Sequence, residues 1–313
     1  MQDMNPLIEG VYDRRMAAAL ARGAAAAYGE DREMEAWAES QRCDGCEAVR
    51  DERADTLGFV AANDDTVFVI FRGTRDLRNW ITDLDARRVP MSGEWKVAGG
   101  QSDLVTGHSP LTTGLEVHEG FQRALESVWG KLQGVVECRS VGRENIFFAG
   151  HSLGGALAML ACARMNGELG MVNSETNSES EIQHSTFNIQ NSIQPWLYTF
   201  GQPRVGNAAW ARWYDSRLRG RSFRVVHAED VVARMPWLLG LYRHAGTEIF
   251  YDALGRAHQD WPWWAKGPSD AAGLWREWQH GKVALLGDHH VRTYVGMLGR
   301  MQNAECRVQN AEC

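Results

Sequence analysis

One serine stands in a pattern that could supply a nucleophile. Ser152 is the central residue of a G-H-S-L-G stretch at 150–154. An apolar, strand-like run at 145–149 precedes the stretch, and strong helix formers at 155–164 follow it. In the order strand, tight turn, helix, such a stretch presents the serine hydroxyl at the tip of a strained turn. Glycines at both ends suit this turn, because a side chain there would collide with the neighbouring strand or helix. We therefore predict that Ser152 is a nucleophile.

A serine hydroxyl is a weak nucleophile at neutral pH, so it needs a general base and a carboxylate that orients the base. Where a G-x-S-x-G turn of this kind carries the nucleophile, these partners follow the serine in the order carboxylate, then histidine. Asp230 comes just after a strand-like run at 222–227, which favours it as the carboxylate. The adjacent Glu229 remains an alternative on spacing alone.

Several histidines after this carboxylate are candidate bases. His289 opens a predicted last helix with an apolar stripe, and a loop before that helix can reach back over the strand ends. His289 is therefore favoured, with His290 as its nearest rival. We interpret His244 as structural, and His118 and His151 as structural or packing residues. The candidates considered are His244, His258, His280, His289 and His290.

The developing oxyanion of such a reaction needs hydrogen-bond donors. One expected donor is the backbone N–H of Leu153, the residue after the nucleophile. The second should come from the loop after an earlier central strand. Thr74 follows the predicted strand 66–71 at that place and could add its hydroxyl to its backbone N–H.

The remaining pattern predicts the elements that position these residues. Two apolar runs around an Asn/Asp turn predict a β-hairpin, and later strands alternate with helices. Such alternation predicts a mostly parallel sheet flanked by helices, with ligands beyond the carboxyl ends of the strands. Residues 40–55 look irregular. The predicted helices are 12–39, 117–136, 155–164 and 208–218, and the predicted strands are 57–62, 66–71, 145–149, 196–200 and 222–227.

A short amphipathic helix follows Thr74. Leu77, Trp80, Ile81 and Leu84 lie at i, i+3, i+4 and i+7, which makes one apolar stripe. Periodicity alone favours an ordinary surface helix over a lid that covers a site.

Composition excludes several function classes. The 313 residues are 44% hydrophobic and 23% charged, with a net charge of −7 and no basic run, so we expect no nucleic-acid partner. No apolar run reaches the roughly 18 residues that a membrane span needs. The N-terminus lacks the features of a secretory signal, which favours a cytoplasmic location and leaves export open. The Cys43–Cys46 pair has no second pair at zinc spacing, so we expect no metal site.

We expect a single domain over 1–300. An Asn/Ser/Glu-rich insert at 171–194 interrupts it, and a short duplicated tail at 301–313 is predicted to be disordered. Tryptophans gather at 261–278, where packing is favoured over an apolar rim beside a site.

At this point the sequence resembles a known family. It is similar to class 3 lipases, the fungal-lipase-like group of α/β-hydrolases, over roughly 57–300. No single motif carries the resemblance, but their order along the chain is specific. The motifs are FRGT at 71–74, RNWITDL at 78–84, VHEGF at 117–121, GHSLGG at 150–155, YTFGQPRVGN at 198–207, VVHAEDVV at 225–232 and DH at 288–289.

The resemblance implies an α/β-hydrolase with a central, mostly parallel sheet and a short helical lid. It implies Ser152, Asp230 and His289 as the triad, and Thr74 and Leu153 as the oxyanion hole. By the same similarity, the helix at 76–84 becomes a lid rather than a plain surface helix. The departures from the pattern, including the insert and the tail, bear on substrate range rather than on the chemistry.

The function implied is hydrolysis of carboxylic esters, with acylglycerols favoured, at a lipid–water interface and without metal or organic cofactor. A phospholipase A1 or a short-chain esterase on the same triad is the alternative among enzymes. A lipase-like fold that only binds lipid or a protein partner is the alternative from another class.

Overall fold

The computed structural model of the chain describes residues 8–75, 87–91, 114–172, 193–227, 230–236, 240–252, 254–262 and 289–309. The segment 76–86, which contains the predicted lid residues Leu77, Trp80, Ile81 and Leu84, lies outside the described residues. Most of the predicted insert, 173–192, and most of the Trp-rich segment, 263–278, also lie outside them.

Helices and strands alternate through the described residues. The helices are α1 (Arg14–Ala26), α2 (Asp31–Ser40), α3 (Glu119–Ser140), α4 (Leu153–Val172), α5 (Ala208–Leu218) and α6 (Val291–Gln309). The strands are β1 (Cys46–Asp51), β2 (Thr56–Ala62), β3 (Thr66–Phe71), β4 (Arg88–Pro90), β5 (Glu116–His118), β6 (Asn145–His151), β7 (Gln194–Phe200), β8 (Ser222–His227), β9 (Thr247–Tyr251) and β10 (Ala257–Gln259).

Eight of these strands form one sheet in the order β1-β2-β3-β6-β7-β8-β9-β10. The five central strands from β3 to β9 run parallel, and antiparallel strands complete both edges. The β2–β3 hairpin predicted from the Asn/Asp turn is present, since β2 and β3 pair in register from Gly58↔Phe71 to Ala62↔Val67. The predicted mostly parallel sheet flanked by helices is therefore confirmed.

Central strand β6 shows why both faces of the sheet are covered. Ile146 and Phe148 point to one core, and Phe147 and Ala149 point to the other, and all four are fully buried. This is the two-residue period of a strand with apolar side chains on both faces. Helices α3, α4 and α5 cover the first core, and α1, α2 and α6 cover the second.

Two expectations about secondary structure were wrong in part. The predicted helix 12–39 is two helices, because Glu30 begins a new one with a capping box to Glu33. The segment 40–55 is not wholly irregular, because β1 within it pairs with β2 along six residues. Only Val49 of this edge strand is buried, and its charged side chains hide the strand in the sequence.

The tail at 301–313 is helical in part, and its predicted disorder stays a prediction. Helix α6 continues to Gln309 and so includes the first nine residues of 301–313. The segment 301–309 contains neither glycine nor proline, so nothing in it ends the helix. Residues 310–313 lie outside the described part of the chain. Within that part, no helix is both long and apolar enough to cross a membrane.

Candidate active site

Ser152 lies on the turn between β6 and α4 with its backbone in the left-handed region, at φ 57°. Non-glycine residues seldom adopt this conformation, and it costs of order 1–3 kcal/mol. The Ser152 N–H donates to the Phe200 carbonyl of neighbouring β7 at 2.9 Å. The residue is 1% exposed. The strained turn predicted from the G-H-S-L-G stretch is thus present and is tied to the centre of the sheet.

Two glycines allow this turn to form. A Cβ atom on Gly150 would lie 2.8 Å from the Gly155 nitrogen, and one on Gly154 would lie 2.7 Å from the Arg72 carbonyl carbon. Both contacts are with backbone, which cannot move aside as a flexible side chain can. Because glycine has no Cβ atom, α4 can begin directly against β6 and the loop after β3.

Asp230 and His289 form a buried pair beyond the carboxyl ends of the strands. His289 Nδ1 lies 2.9 Å and 2.8 Å from the two carboxylate oxygens of Asp230. Asp230 follows β8 on a turn that its own N–H closes by donating to the His227 carbonyl. His289 stands immediately before α6. The sequence places these residues 59 positions apart, and the fold brings them into direct contact.

Four groups satisfy the buried carboxylate. Besides His289, the N–H groups of Val232 and Ala233 donate to Oδ1 at 2.9 Å and 3.2 Å. The Tyr294 hydroxyl on α6 donates to Oδ2 at 2.5 Å. Burial by itself raises the pKa of Asp230. The neighbouring His289 and the hydrogen bonds from His289 and Tyr294 lower this pKa by more, so that it lies below its ordinary value of 3.8. The carboxylate is therefore ionised at neutral pH.

Two buried polar atoms remain without hydrogen-bond partners at the centre of this site. They are Ser152 Oγ and the second ring nitrogen of His289, Nε2, in the part of the chain that the structure describes. Buried polar atoms are normally paired, so each such exception calls for an explanation. A nucleophile and its general base would account for these two atoms, because the hydrogen bond between such groups often tightens only when substrate is bound.

Gly201 packs against the Asp230–His289 pair. It follows β7, has φ 59°, and a Cβ at this position would lie 2.5 Å from Asp230 Oδ2 and 2.9 Å from His289 Nδ1. Glycine is thus required here twice, once for the backbone conformation and once for space. The sequence motif at 198–207 contained this residue, but nothing in the motif indicated that it faces the carboxylate.

The loop after β3 lies against the serine turn. A Cβ on Gly73 would lie 2.6 Å from the His151 carbonyl oxygen and 3.2 Å from Ser152 Cβ, so the next residue, Thr74, stands beside the turn. Leu153 is the first residue of α4, and its N–H therefore has no acceptor within the helix. Thr74 and Leu153 thus directly follow residues of the two segments that touch here, and their role as oxyanion donors stays a prediction.

His151 connects His289 with Tyr28 through hydrogen bonds. The sequence interpretation of His151 as a packing residue missed these contacts. Its Nε2 lies 2.5 Å from the His289 carbonyl oxygen, and its Nδ1 lies 2.8 Å from the Tyr28 hydroxyl. The Tyr28 hydroxyl also packs against Gly73, where a Cβ would collide with it. These contacts link the turn after α1, the loop after β3, the serine turn and His289.

The protonation of His151 follows from its partners. Burial lowers the pKa of His151 well below its ordinary value, and neighbouring His289 lowers it further, so the ring is neutral. Because a carbonyl oxygen only accepts, Nε2 carries the proton, and Nδ1 accepts from Tyr28. The fully buried ring therefore holds the backbone of His289 through one fixed tautomer.

The other candidate histidines have different roles. His244 Nε2 lies 2.7 Å from the Ala233 carbonyl oxygen, and His258 pairs with Asp252 at the sheet edge. The exposed His290 accepts from the Arg292 N–H. His118 caps α3 by accepting from the Gly120 N–H. Among the described histidines, only His289 has a ring nitrogen within hydrogen-bond distance of the Asp230 carboxylate.

Some alternatives fall outside the described residues, namely Glu229 and His280. No group of three or more His, Cys, Asp or Glu side chains within the described ranges is arranged to hold a metal ion.

A serine on a strained turn after a central parallel strand, with an aspartate and a histidine after later elements, defines the α/β-hydrolase class. Comparison with protein families is more specific. The profile described as "Lipase (class 3)" matches residues 68–239, which is more than half of the chain. The chain therefore belongs to the class 3 lipase family, as its motifs predicted.

The names of individual relatives describe several different activities. The chain is 31% identical over 222 residues to a lipase of Rhizomucor miehei, with 66% of this chain and 51% of the relative covered. It is 28% identical over 201 residues to the secreted mono- and diacylglycerol lipase 1 of Fusarium solani, with 63% and 48% covered. It is 28% identical over 222 residues to phospholipase A1-II 1 of Oryza sativa subsp. indica, with 66% and 50% covered. The chain thus spans about half the length of these curated relatives.

Solved structures show the same fold. The structure of Rhizomucor miehei triacylglyceride lipase matches with a TM-score of 0.57 at 24% identity, covering 78% of this chain and 83% of that chain. The Lip2 lipase of Yarrowia lipolytica matches with a TM-score of 0.53 at 23% identity, covering 76% and 78%.

Substitution of Gly201 tests the packing against the Asp230–His289 pair. We expect Gly201→Ala to slow labelling of Ser152 by a fluorophosphonate probe at least about tenfold, since the pair must move. Gly142→Ala is the matched control, because Gly142 also has a positive φ of 75° but nothing within 4 Å of its Cβ position. Both variants should lose about 1–2 kcal/mol of stability to the left-handed backbone. Equal labelling rates in the two variants would contradict this role of Gly201.

Removal of the Tyr28 hydroxyl tests the network around His151. We expect Tyr28→Phe to lower kcat for a soluble ester about fivefold to tenfold, the equivalent of one lost hydrogen bond of about 1 kcal/mol. KM should change little, because the network holds the base and the oxyanion loop rather than substrate. Tyr12→Phe, which removes a comparable hydroxyl whose partner is Tyr251, is the control. A KM effect with unchanged kcat would argue against the network.

Proposed function

We propose that the protein hydrolyses carboxylic esters through an acyl-enzyme formed on Ser152. The observation that carries the proposal is Ser152 on its strained, buried turn, whose preceding residue His151 contacts His289, while His289 Nδ1 is held by the ionised Asp230. This arrangement supplies a nucleophile, a base and an orienting acid. The family membership supports the same chemistry.

The reaction divides into two halves. In the first, Ser152 Oγ bonds to the ester carbonyl carbon while His289 Nε2 takes the hydroxyl proton. The tetrahedral intermediate then collapses, the bond to the alcohol oxygen breaks, and His289 returns the proton to the leaving alcohol. In the second half, water attacks the acyl carbon with the same base, and Ser152 is released. Asp230 keeps the Nδ1 proton on His289 and stabilises its charged form.

The negative charge that develops on the carbonyl oxygen requires donors at a fixed position. We propose the N–H of Leu153 and the backbone N–H and hydroxyl of Thr74 for this role. Gly73 supports the assignment, because it closely approaches the serine turn and directly precedes Thr74. The roles need no metal or organic cofactor.

Acylglycerols are the substrates we favour. The names of the Rhizomucor miehei and Fusarium solani relatives support this preference, and the rice relative makes a phospholipase A1 the leading alternative. We further propose that the amphipathic segment carrying Leu77, Trp80, Ile81 and Leu84 is a lid whose apolar stripe meets the lipid–water interface. A short-chain esterase and a protein that only binds lipid are the remaining alternatives.

Replacement of the nucleophile tests the proposal directly. Ser152→Ala should abolish hydrolysis of a p-nitrophenyl ester and of a trioctanoylglycerol emulsion, and it should abolish fluorophosphonate labelling. Loss of the nucleophile costs several orders of magnitude in kcat. Circular dichroism should show an unchanged fold. Turnover like that of the wild type in this variant would exclude Ser152 as the nucleophile.

A comparison of two neighbouring histidines tests the base. We expect His289→Ala to lower kcat at least about a thousandfold, since the base and the acid are both lost. His290→Ala should retain kcat within a few fold, because the exposed His290 ring contacts a backbone N–H and not Asp230. The opposite ranking of the two variants would assign the base to His290.

A further inference from the structure

The carboxylate of Asp230 depends on the short segment that follows it. Its Oδ1 accepts from the N–H groups of Val232 and Ala233 at 2.9 Å and 3.2 Å, and both residues belong to a single 3₁₀ turn at Val232–Arg234. A turn of this kind has poor hydrogen-bond geometry of its own. The direction in which the carboxylate points therefore depends on what else in the fold holds the segment 232–236.

Arg204, on the loop after β7, binds one side of this segment. Its backbone N–H donates to the Met235 carbonyl at 2.7 Å. Its side-chain Nη1 donates to the Pro236 carbonyl at 2.9 Å and also to the Arg234 carbonyl. Three consecutive carbonyl groups of the segment are thus bound by one residue.

The surroundings of Arg204 make these carbonyl contacts necessary. Burial lowers the pKa of Arg204, and the neighbouring Arg224, Arg243 and Arg234 lower it further. No carboxylate among the described residues forms an ion pair with the Arg204 guanidinium. A half-buried cation of this kind is stable only when its N–H groups have acceptors, so Arg204 and the segment 232–236 fix each other.

His244 binds the same segment at a second point. Its Nε2 lies 2.7 Å from the Ala233 carbonyl oxygen. Because a carbonyl oxygen only accepts, Nε2 is the donor. Ala233 is thereby held through both of its backbone groups, by His244 at the carbonyl and by the Asp230 carboxylate at the N–H. These two hydrogen bonds set the orientation of the residue that faces the carboxylate.

The backbone on both sides of His244 is itself anchored. The Arg243 N–H donates to the Gly206 carbonyl at 2.8 Å. The Ala245 carbonyl accepts from Nε of Arg224, a residue of β8 that is 4% exposed, at 2.8 Å. His244 is therefore a fixed support, and its hydrogen bond to Ala233 transmits the position of β8 and of the loop after β7 to the segment 232–236.

We propose that Arg204 and His244 are positioning residues, which hold the segment 232–236 so that its N–H groups keep the Asp230 carboxylate aimed at His289. The inference rests on the proposed ester hydrolysis and deepens it. A catalytic group that is displaced by about 1 Å can lower the rate about a hundredfold. The loss should fall on kcat, because the carboxylate acts in the chemical step rather than in substrate binding.

Kinetics with p-nitrophenyl butyrate, a soluble ester, test the proposal. We expect Arg204→Met to lower kcat about tenfold to a hundredfold with KM within about twofold. His244→Leu should lower kcat about threefold to tenfold, because Arg204 still holds the segment. The conservative variants Arg204→Lys and His244→Gln keep a donor near the same carbonyls and should recover most of kcat.

Arg143→Met is the matched control. Arg143 is half-buried like Arg204, and it also donates to backbone carbonyls, to that of Asn63 from Nε at 2.5 Å and to that of Arg139 from Nη1 at 2.7 Å. It precedes β6 and so lies at the end of the sheet opposite to Ser152. This variant should keep kcat within about twofold. Equal losses of kcat in Arg143→Met and Arg204→Met would overturn the proposal.

A double-mutant cycle shows whether the two residues act through Asp230. In the Asp230→Ala background, adding Arg204→Met should lower kcat by no more than about twofold, because the group that it positions is already absent. A loss as large as in the wild-type background would overturn the proposal, since it would reveal a general role in stability. Should Arg204→Met fail to fold by circular dichroism, the same cycle with His244→Leu and His244→Gln decides.

Proton NMR tests the positioning independently of turnover. The proton that His289 Nδ1 donates to Asp230 should give a far-downfield signal, which Asp230→Ala removes and so assigns. We expect Arg204→Met and His244→Leu to shift or broaden this signal and Arg143→Met to leave it unchanged. If the wild type hydrolyses no ester but the signal follows this pattern, the proposed function fails and the positioning role stands. If the wild type hydrolyses the ester and neither kcat nor the signal changes in Arg204→Met, the positioning role fails and the proposed function stands.

Discussion

The site depends on one close backbone contact, that between the serine turn and the loop after β3. Gly154 on the turn touches the backbone of Arg72, and Gly73 on the loop touches the backbone of His151. The left-handed backbone of Ser152 costs of order 1–3 kcal/mol. On the protein surface, such a turn would relax to a conformation without this strain. Here β6 is buried on both faces, and the turn cannot change shape without disturbing both cores. The strain is therefore held in place by packing together with the hydrogen bond from the Ser152 N–H to the Phe200 carbonyl.

The second requirement is electrostatic. A buried carboxylate is costly unless several donors satisfy it, and Asp230 obtains them from its own turn, from His289 and from Tyr294. Those donors come from parts of the chain that follow β8 and precede or form α6. The charge is consequently stable only when the last helix is docked. This couples the ionisation of Asp230 to the assembly of the whole second core.

The hydrogen bonds of His151 are a third requirement, because they hold the backbone of the base, His289. His151 is kept neutral by burial, and its fixed tautomer connects the backbone of His289 to Tyr28. Since Tyr28 also packs against Gly73, the turn after α1, the loop that carries Thr74 and the base form one connected network. The segment between the first two helices thus bears on the geometry of the site.

The sequence by itself determined the parts that depend on local order. The G-H-S-L-G stretch between a strand-like and a helix-like run identified the turn of Ser152, and the position of Asp230 after β8 followed from the fact that parallel strands end at one edge. Local pattern could not distinguish Asp230 from Glu229 or His289 from His290. The family resemblance was needed to assign the complete triad and the oxyanion donors. Tertiary structure alone decided which groups touch. Gly201 against the carboxylate, Tyr28 against His151 and Tyr294 against Asp230 each join residues far apart in the chain. No periodicity or motif records such distances, because they arise only when the two faces of the sheet are packed.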